Sequence, residues 1–256
     1  MLKKRLIGVI VVKNDLAVQS LGYNKYLPLG KPEFLAENLD RWGADEILIQ
    51  VIDRSINNSG PDFNLLKKIS RLNLSTPLIY GGGINSVEDG VKVVKLGADR
   101  ILFDTMFQEN LSAVKELGFQ LGKQALIASM PISLNLNTLE FLNYKSKTKK
   151  FIDKLFFSTP AFELISEVML SDFNGDGYSN AFHIDLINFI KMIKAPLILF
   201  GGISNTQQLN KLLAKENVSA VAIGNFLNYQ ENAIQKLKEN ADYKVLRRPF
   251  YSDAIF

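Results

Sequence analysis

The segment Pro77-Leu78-Ile79-Tyr80-Gly81-Gly82-Gly83-Ile84 returns as Pro196-Leu197-Ile198-Leu199-Phe200-Gly201-Gly202-Ile203, about 120 residues further on. In each copy a short apolar run ends on a glycine pair and an amphipathic stretch follows. A weaker echo pairs Val51-Ile52-Asp53 and Leu65-Leu66 with Asp172-Phe173-Asn174 and Leu186-Ile187. So long a period describes a duplicated half-domain rather than a solenoid of short units. Apolar runs of the same kind recur at 6–12, 46–51, 77–81, 100–104, 125–130, 167–171, 196–200 and 218–224. They are nearly continuous rather than alternating, which suits parallel strands covered by helices. Stretches with helical spacing lie between them at 32–42, 63–72, 86–96 and 206–215, with Ser86 and Asp89 as a start signal and Gly97 as a stop. This strand–helix alternation predicts a single α/β domain over residues 1–256, a (β/α)8 barrel whose half-barrels divide near residue 122. Pro160 falls where the fifth helix belongs, so that element is expected to be short or broken.

Composition narrows the chemistry. With 47% apolar and 22% charged residues, the chain can build a core and is not a disordered one. Its 30 basic residues barely exceed 26 acidic ones. The densest basic runs, Lys145 to Lys154 and Arg247-Arg248, have no regularly interleaved aromatics, so they read as solvated faces and no nucleic-acid partner is expected. Cysteine is absent, which removes disulfides, thiolate metal sites and cysteine nucleophiles. No apolar run is long enough for a membrane span, and Lys13, Asn14 and Asp15 follow the first run where a leader would need small residues. The expectation is a cytoplasmic protein without a metal or organic cofactor.

The glycine pairs are the first candidates for function. Glycine lets a backbone approach a phosphate closely, and free N–H groups at a following helix start bind the anion. A tight strand-to-helix turn would explain one pair alone. Two pairs at matching places favour phosphate cradles, the first made of Gly82, Gly83, Asp104 and Thr105, the second of Gly201, Gly202, Gly224 and Asn225. At the opposite end, Arg5, Glu46, Arg100 and Glu167 each begin a strand and fall in one barrel layer, where they can form a charged ring.

The ring and the glycine pairs, with Met1-Leu2-Lys3-Lys4-Arg5, Lys13, Gly97-Ala98-Asp99-Arg100 and Asp176-Gly177, resemble the cyclase subunit of imidazole glycerol phosphate synthase, the HisF family. The likeness is weakest from 132 to 165. It implies that the charged ring gates ammonia made by a glutaminase docked on the N-terminal face of the barrel. It also implies a phosphorylated small-molecule substrate contacted by Lys13 and Asn174, with Asn14, Asp15 and Gln19 nearby.

The departures from that family are specific. Its chemistry uses an aspartate at the end of the first strand and another at the end of the fifth. Here Val11 occupies the first position, and Pro131, or Met130 with a one-residue slip, occupies the second. Neither can transfer a proton. Val51 and Asn174 also stand where the family has aspartates. The carboxylates left as catalytic candidates are Asp53, Asp104 and Asp176. The lone histidine, His183, reads as a surface or cap residue. Asp172, Asn174, Asp176 and Tyr178 mimic a calcium-loop spacing without its flanking helices or terminal glutamate. Trp42 and Phe157 read as packing residues. Three functions stay open: a paralogue passing ammonia to another pathway, such as amidination of surface sugars; a phosphate-binding barrel that scaffolds or activates a glutaminase; and a sugar-phosphate isomerase.

Overall fold

The computed structural model describes residues 3–242 and 244–247, so Met1, Leu2 and Arg248 lie outside the described residues. The strands in chain order are β1 (Arg5–Lys13), β2 (Leu16–Leu21), β3 (Lys25–Gly30), β4 (Glu46–Val51), β5 (Leu78–Gly81), β6 (Arg100–Phe103), β7 (Leu126–Asn135), β8 (Thr138–Asn143), β9 (Thr148–Ile152), β10 (Glu167–Ser171), β11 (Leu197–Phe200) and β12 (Val218–Ile223). Eight of them, β1, β4, β5, β6, β7, β10, β11 and β12, run parallel. The sheet closes on itself because β7 pairs with β10 as well as with β6. The eight expected strands are these eight, and the architecture is a (β/α)8 barrel.

Alternation along each strand sorts the core into two bodies. Leu6, Ile10, Val12, Ile47, Ile49 and Val51 point outward and pack under the helices. Ile7, Val9, Val11, Leu48, Met169 and Ile198 point inward and fill the lumen. Both faces are therefore apolar, which is why the strands read as continuous rather than alternating runs.

The helices are α1 (Pro32–Arg41), α2 (Phe63–Ser70), α3 (Val87–Lys95), α4 (Thr105–Glu109), α5 (Leu111–Leu121), α6 (Leu186–Phe189), α7 (Thr206–Leu213) and α8 (Ala233–Glu239). Their starts are locally encoded. Pro32 sits in the first turn of α1, and the side chains of Asp62, Ser86 and Asn205 accept from Leu65, Asp89 and Gln208 N–H groups. Between β7 and β10 the described residues contain no α-helix. Two 3₁₀ turns, Lys154–Ser158 and Pro160–Leu164, stand there, with Thr159 held extended before the proline. Phe157 and Phe162 fill the gap, their ring centroids 6.2 Å apart. Trp42 is partly buried against the outer core.

Two hairpins rise from the C-terminal rim. The β1–β2 turn places Asn14 and Asp15 at φ 49° and 62°, and the β7–β8 turn places Leu136 and Asn137 at 45° and 66°. Such paired positive φ values are those of a two-residue turn whose twist matches the strands. Neither hairpin is among the elements expected from the apolar runs. The β2–β3 hairpin follows the first barrel strand and the β8–β9 hairpin follows the fifth. They meet over the barrel, where the rings of Tyr23 and Tyr144 lie 4.9 Å apart.

Candidate functional site

Beneath the two hairpins lies a cavity of about 530 Å³ at the C-terminal strand ends. Its floor is Gln50, Leu102 and Ser129 from the barrel, and its roof is Tyr23, Tyr144 and Lys147 from the hairpins. Gly82, Gly83, Asp104 and Thr105 line one wall together, so the first quartet is assembled. Asn174 lines the same cavity, and its backbone N–H donates to Ser133 Oγ at 2.9 Å. Lys13 does not line it; its ammonium lies 4.0 Å from the centre of the Tyr26 ring.

The second quartet, Gly201, Gly202, Gly224 and Asn225, also converges, but on a dimple of only about 40 Å³. The two glycine turns are geometric twins. Gly82 (φ 128°) has no room for a Cβ because the Val51 carbonyl abuts it, and Gly201 (φ 104°) stands in the same relation to the Asp172 carbonyl. Only glycine fits either position. The twins differ in what lies over them. The Asn225 amide accepts from Ser20 N–H at 3.1 Å and donates to Ser20 C=O at 2.5 Å, so it is committed to holding strand β2.

The three candidate carboxylates occupy different settings. Asp104 sits in the large cavity, where burial raises its pKa to about 7 against the hydrogen bond from Thr105. Gln108 Nε2 donates to its Oδ1 at 2.9 Å. Asp176 lies beside the dimple, where burial raises it to about 6 although Ser20 and the Tyr23 and Gly22 backbone favour its charged form. Asp53 is outside both cavities and accepts from Asn14 N–H at 2.8 Å. Val11 packs in the lumen against the other inward residues. On β7, Met130 belongs to the outer core and Pro131 follows the inward parity of Ile127 and Ser129. Neither strand end carries a carboxylate.

At the other end the four charged residues do form a ring. Arg5 Nη2 lies 2.5 Å from Glu167 Oε1 and Arg5 Nε 3.5 Å from Glu46 Oε2. Arg100 Nη1 lies 3.3 Å from Glu46 Oε1 and 2.6 Å from Glu167 Oε2. Ser219 Oγ donates to Glu167, and Arg100 is fixed from outside by Ser166 Oγ at 2.9 Å and the Gln124 carbonyl at 3.0 Å. The two carboxylates respond differently. Burial raises Glu46 despite Arg5 and Arg100; Glu167 is also pushed up by burial, but Arg100 and Arg5 prevail and hold it low. Above the ring the lumen is apolar, with Ile7, Leu48, Met169 and Ile198 before the cavity is reached.

His183 is half exposed, with Nδ1 3.9 Å from Asp185 Oδ2, while its backbone N–H donates to Asp172. No group of three or more His, Asp or Glu side chains among the described residues is placed to hold a metal ion. No helix among them is long and apolar enough to cross a membrane.

Comparison with known proteins covers nearly the whole chain. Residues 5–233 match the family described as "Histidine biosynthesis protein". A Vibrio vulnificus (strain YJ016) protein, provisionally named imidazole glycerol phosphate synthase subunit hisF2, is 26% identical over 91% of this chain and 86% of its own. "Imidazole glycerol phosphate synthase subunit HisF" of Exiguobacterium sp. (strain ATCC BAA-1283 / AT1b) is 24% identical over 93% of each chain. The protein of the same name in Methanococcus vannielii is 25% identical over 93% of this chain and 96% of its own.

Proposed function

The chain belongs to the histidine biosynthesis protein family, as a HisF-like member, and on that premise we propose that it receives ammonia from a glutaminase partner and presents it to a phosphorylated ligand. The observation that carries this reading is the placement of two features at opposite ends of one apolar lumen. The Arg5–Glu46–Arg100–Glu167 ring closes the N-terminal end, and the glycine-lined cavity opens at the other. Charged ammonium would meet two guanidinium groups at the ring, whereas neutral ammonia can cross an apolar column. A groove of about 310 Å³ beside the ring, sharing Ser166 with it and lined by Phe157, Met192 and Lys194, supports docking of the partner on this face. The twin glycine turns support reading residues 1–256 as one domain of two half-barrels, and the working compartment proposed is the cytoplasm.

Val11 and Pro131 argue against the standard cyclisation of histidine biosynthesis in this subunit, since neither strand end offers a proton-transferring group. The favoured role is a paralogue that serves another nitrogen-transfer pathway, with amidination of surface sugars as the leading case. The same absence favours a second reading, a non-catalytic barrel that binds phosphate and activates its glutaminase.

The test is to give the purified chain the family's ring-opened phosphoribulosyl-formimino substrate with excess ammonium salt beside an authentic cyclase. No turnover is expected. Turnover would overturn the paralogue reading and direct attention to Asp104 and Asp176. A rise in glutaminase activity on adding the chain, with no new nitrogen-containing product, would select the scaffold reading.

A further inference from the structure

The groove on the N-terminal face exists because a helix is missing. Between β7 and β10, where a barrel of this kind carries its fifth helix, stand two 3₁₀ turns. Their side chains leave a hollow of about 310 Å³ at the starts of β7, β10 and β11. Phe157, Phe162 and Ile165 are its buried apolar lining. Apolar side chains also stand exposed beside it: Leu155 is 67% exposed, Phe156 37% and Met192 45%. An apolar hollow with an exposed apolar rim is the mark of a surface that another protein covers. Lys123 and Lys194 line the hollow too, and neither has an ion-pair partner among the described residues. Glu163 is the one acidic residue of the lining, so the hollow favours an anion.

Ser166 joins this hollow to the charged ring. It is part of the lining, and its hydroxyl accepts from Arg100 Nη2 at 2.9 Å while donating to the Leu126 carbonyl at 2.8 Å. Arg100 Nε donates to the Gln124 carbonyl at 3.0 Å. These bonds hold the guanidinium from outside, while Glu46 and Glu167 hold it from within. The hydroxyl is the weak point among them. A carboxylate is a better acceptor for a guanidinium than a neutral oxygen, its charge-assisted bonds being roughly twice as strong. A carboxylate brought to Ser166 would therefore take Nη2 from it.

We infer that the groove receives an aromatic side chain of the docked partner together with a neighbouring carboxylate, and that this carboxylate slackens the ring by drawing Arg100 away from Ser166. Phe157 and Phe162 supply ring contacts for the aromatic group, and Lys123 and Lys194 supply the charge that attracts the acid. The inference rests on the reading that a glutaminase docks on this face. It adds the chemistry of the anchor and the route by which docking reaches the ring.

Hydrocinnamate carries the aromatic ring and the carboxylate of such an anchor, and hydrocinnamyl alcohol carries the ring alone. Each is titrated into the isotope-labelled chain, and the NMR signal of the Arg100 Nε–H is followed. The acid should bind at millimolar concentration or below and speed solvent exchange of that N–H about three-fold or more. The alcohol should bind about five-fold more weakly and leave the exchange unchanged. Lys123→Ala combined with Lys194→Ala, both at exposed positions, should weaken the acid about five-fold. Ser166→Ala should show the faster exchange with no probe present. If that variant does not fold, the effect of the acid on Arg100 in the native chain decides the coupling. Equal binding of acid and alcohol would overturn the role of the lysines. Binding of the acid without a change at Arg100 would overturn the coupling to the ring, and no binding of either probe would overturn the anchor. All three outcomes leave the ammonia reading standing, because it depends on the ring and the lumen and is decided by the turnover and glutaminase assays.

Discussion

Asp176 Oδ2 accepts from Ser20 Oγ at 2.7 Å, which fastens strand β2 to the loop after the sixth barrel strand. The same oxygen accepts from Tyr23 N–H at 3.2 Å, and the Asp176 carbonyl accepts from Gly22 N–H at 3.0 Å. The carboxylate therefore holds the β2–β3 hairpin closed from beneath. Tyr23, Tyr26 and Tyr144 are titratable groups that face it, and burial keeps all three protonated in the acid range.

This fastening should depend on pH. Burial under the closed hairpin raises Asp176 from 3.8 to about 6. The closed state then binds a proton more tightly than the open one, so closure is most favoured below pH 4. It weakens as pH rises from about 4 to about 6, a loss of up to about 3 kcal/mol. Hydrogen exchange of residues 16–30, corrected for intrinsic rates, should show protection falling across that window and flat above it. Asp176→Asn should remove the slope. Protection that rises with pH in the native chain would contradict this account.

Asp104 should set the pH dependence of anion binding at the first cradle. Its pKa of about 7 puts its negative charge on the cavity wall in alkaline solution. Sulfate, which does not titrate in this range, isolates the effect. Sulfate affinity should fall as pH rises from 6 to 8, and Asp104→Asn should bind it about ten-fold more tightly at pH 8. A native affinity independent of pH would show that no anion sits beside Asp104.

The barrel itself was legible in the sequence, and the reason is physical. Its eight strands are apolar on both faces, so burial alone marks them. The charged ring was legible because Arg5, Glu46, Arg100 and Glu167 all interrupt apolar runs at their first residue. The hairpins were not. Leu16-Ala17-Val18-Gln19-Ser20 and Thr138-Leu139-Glu140-Phe141-Leu142 are short, mixed segments whose pairing is set by turns at Asn14-Asp15 and Leu136-Asn137. Those turns were the available signal. Missing them hid Tyr23 and Tyr144, the two residues that meet over the cavity and roof it. Asp53 was singled out for its place after a strand, yet it is spent on the Asn14 backbone outside both cavities.

The twin glycine turns should tolerate substitution equally badly. Gly82→Ala and Gly201→Ala each force a Cβ onto a strand carbonyl at a φ that side chains rarely adopt. Each should cost at least about 3 kcal/mol in urea unfolding. Gly118 is the contrast, since it lies inside α5 and a Cβ there would sit 3.7 Å from Leu126. Gly118→Ala should stabilise the chain by up to about 1 kcal/mol. If the two cradle variants unfold like the native chain, the turns are looser than their geometry requires.

Glu167 should be the residue on which the ring depends most. It meets Arg5 at 2.5 Å and Arg100 at 2.6 Å, so Glu167→Gln leaves two largely buried guanidinium groups sharing Glu46 alone. Breaking a buried ion pair from one side costs about 3–5 kcal/mol. The sign with pH follows from its environment. Arg100 and Arg5 hold the folded Glu167 below 4.5 in spite of burial, so its contribution is present above 4.5 and is lost as pH falls through the folded value. Urea unfolding should therefore place Glu167→Gln well below the native chain at pH 7, with the gap closing below pH 4. Restoring neutrality should recover much of the loss, so Arg5→Met combined with Glu167→Gln should be more stable than Glu167→Gln alone. A gap that does not change with pH would mean that the ring stabilises this end of the barrel through packing, with its charges contributing little.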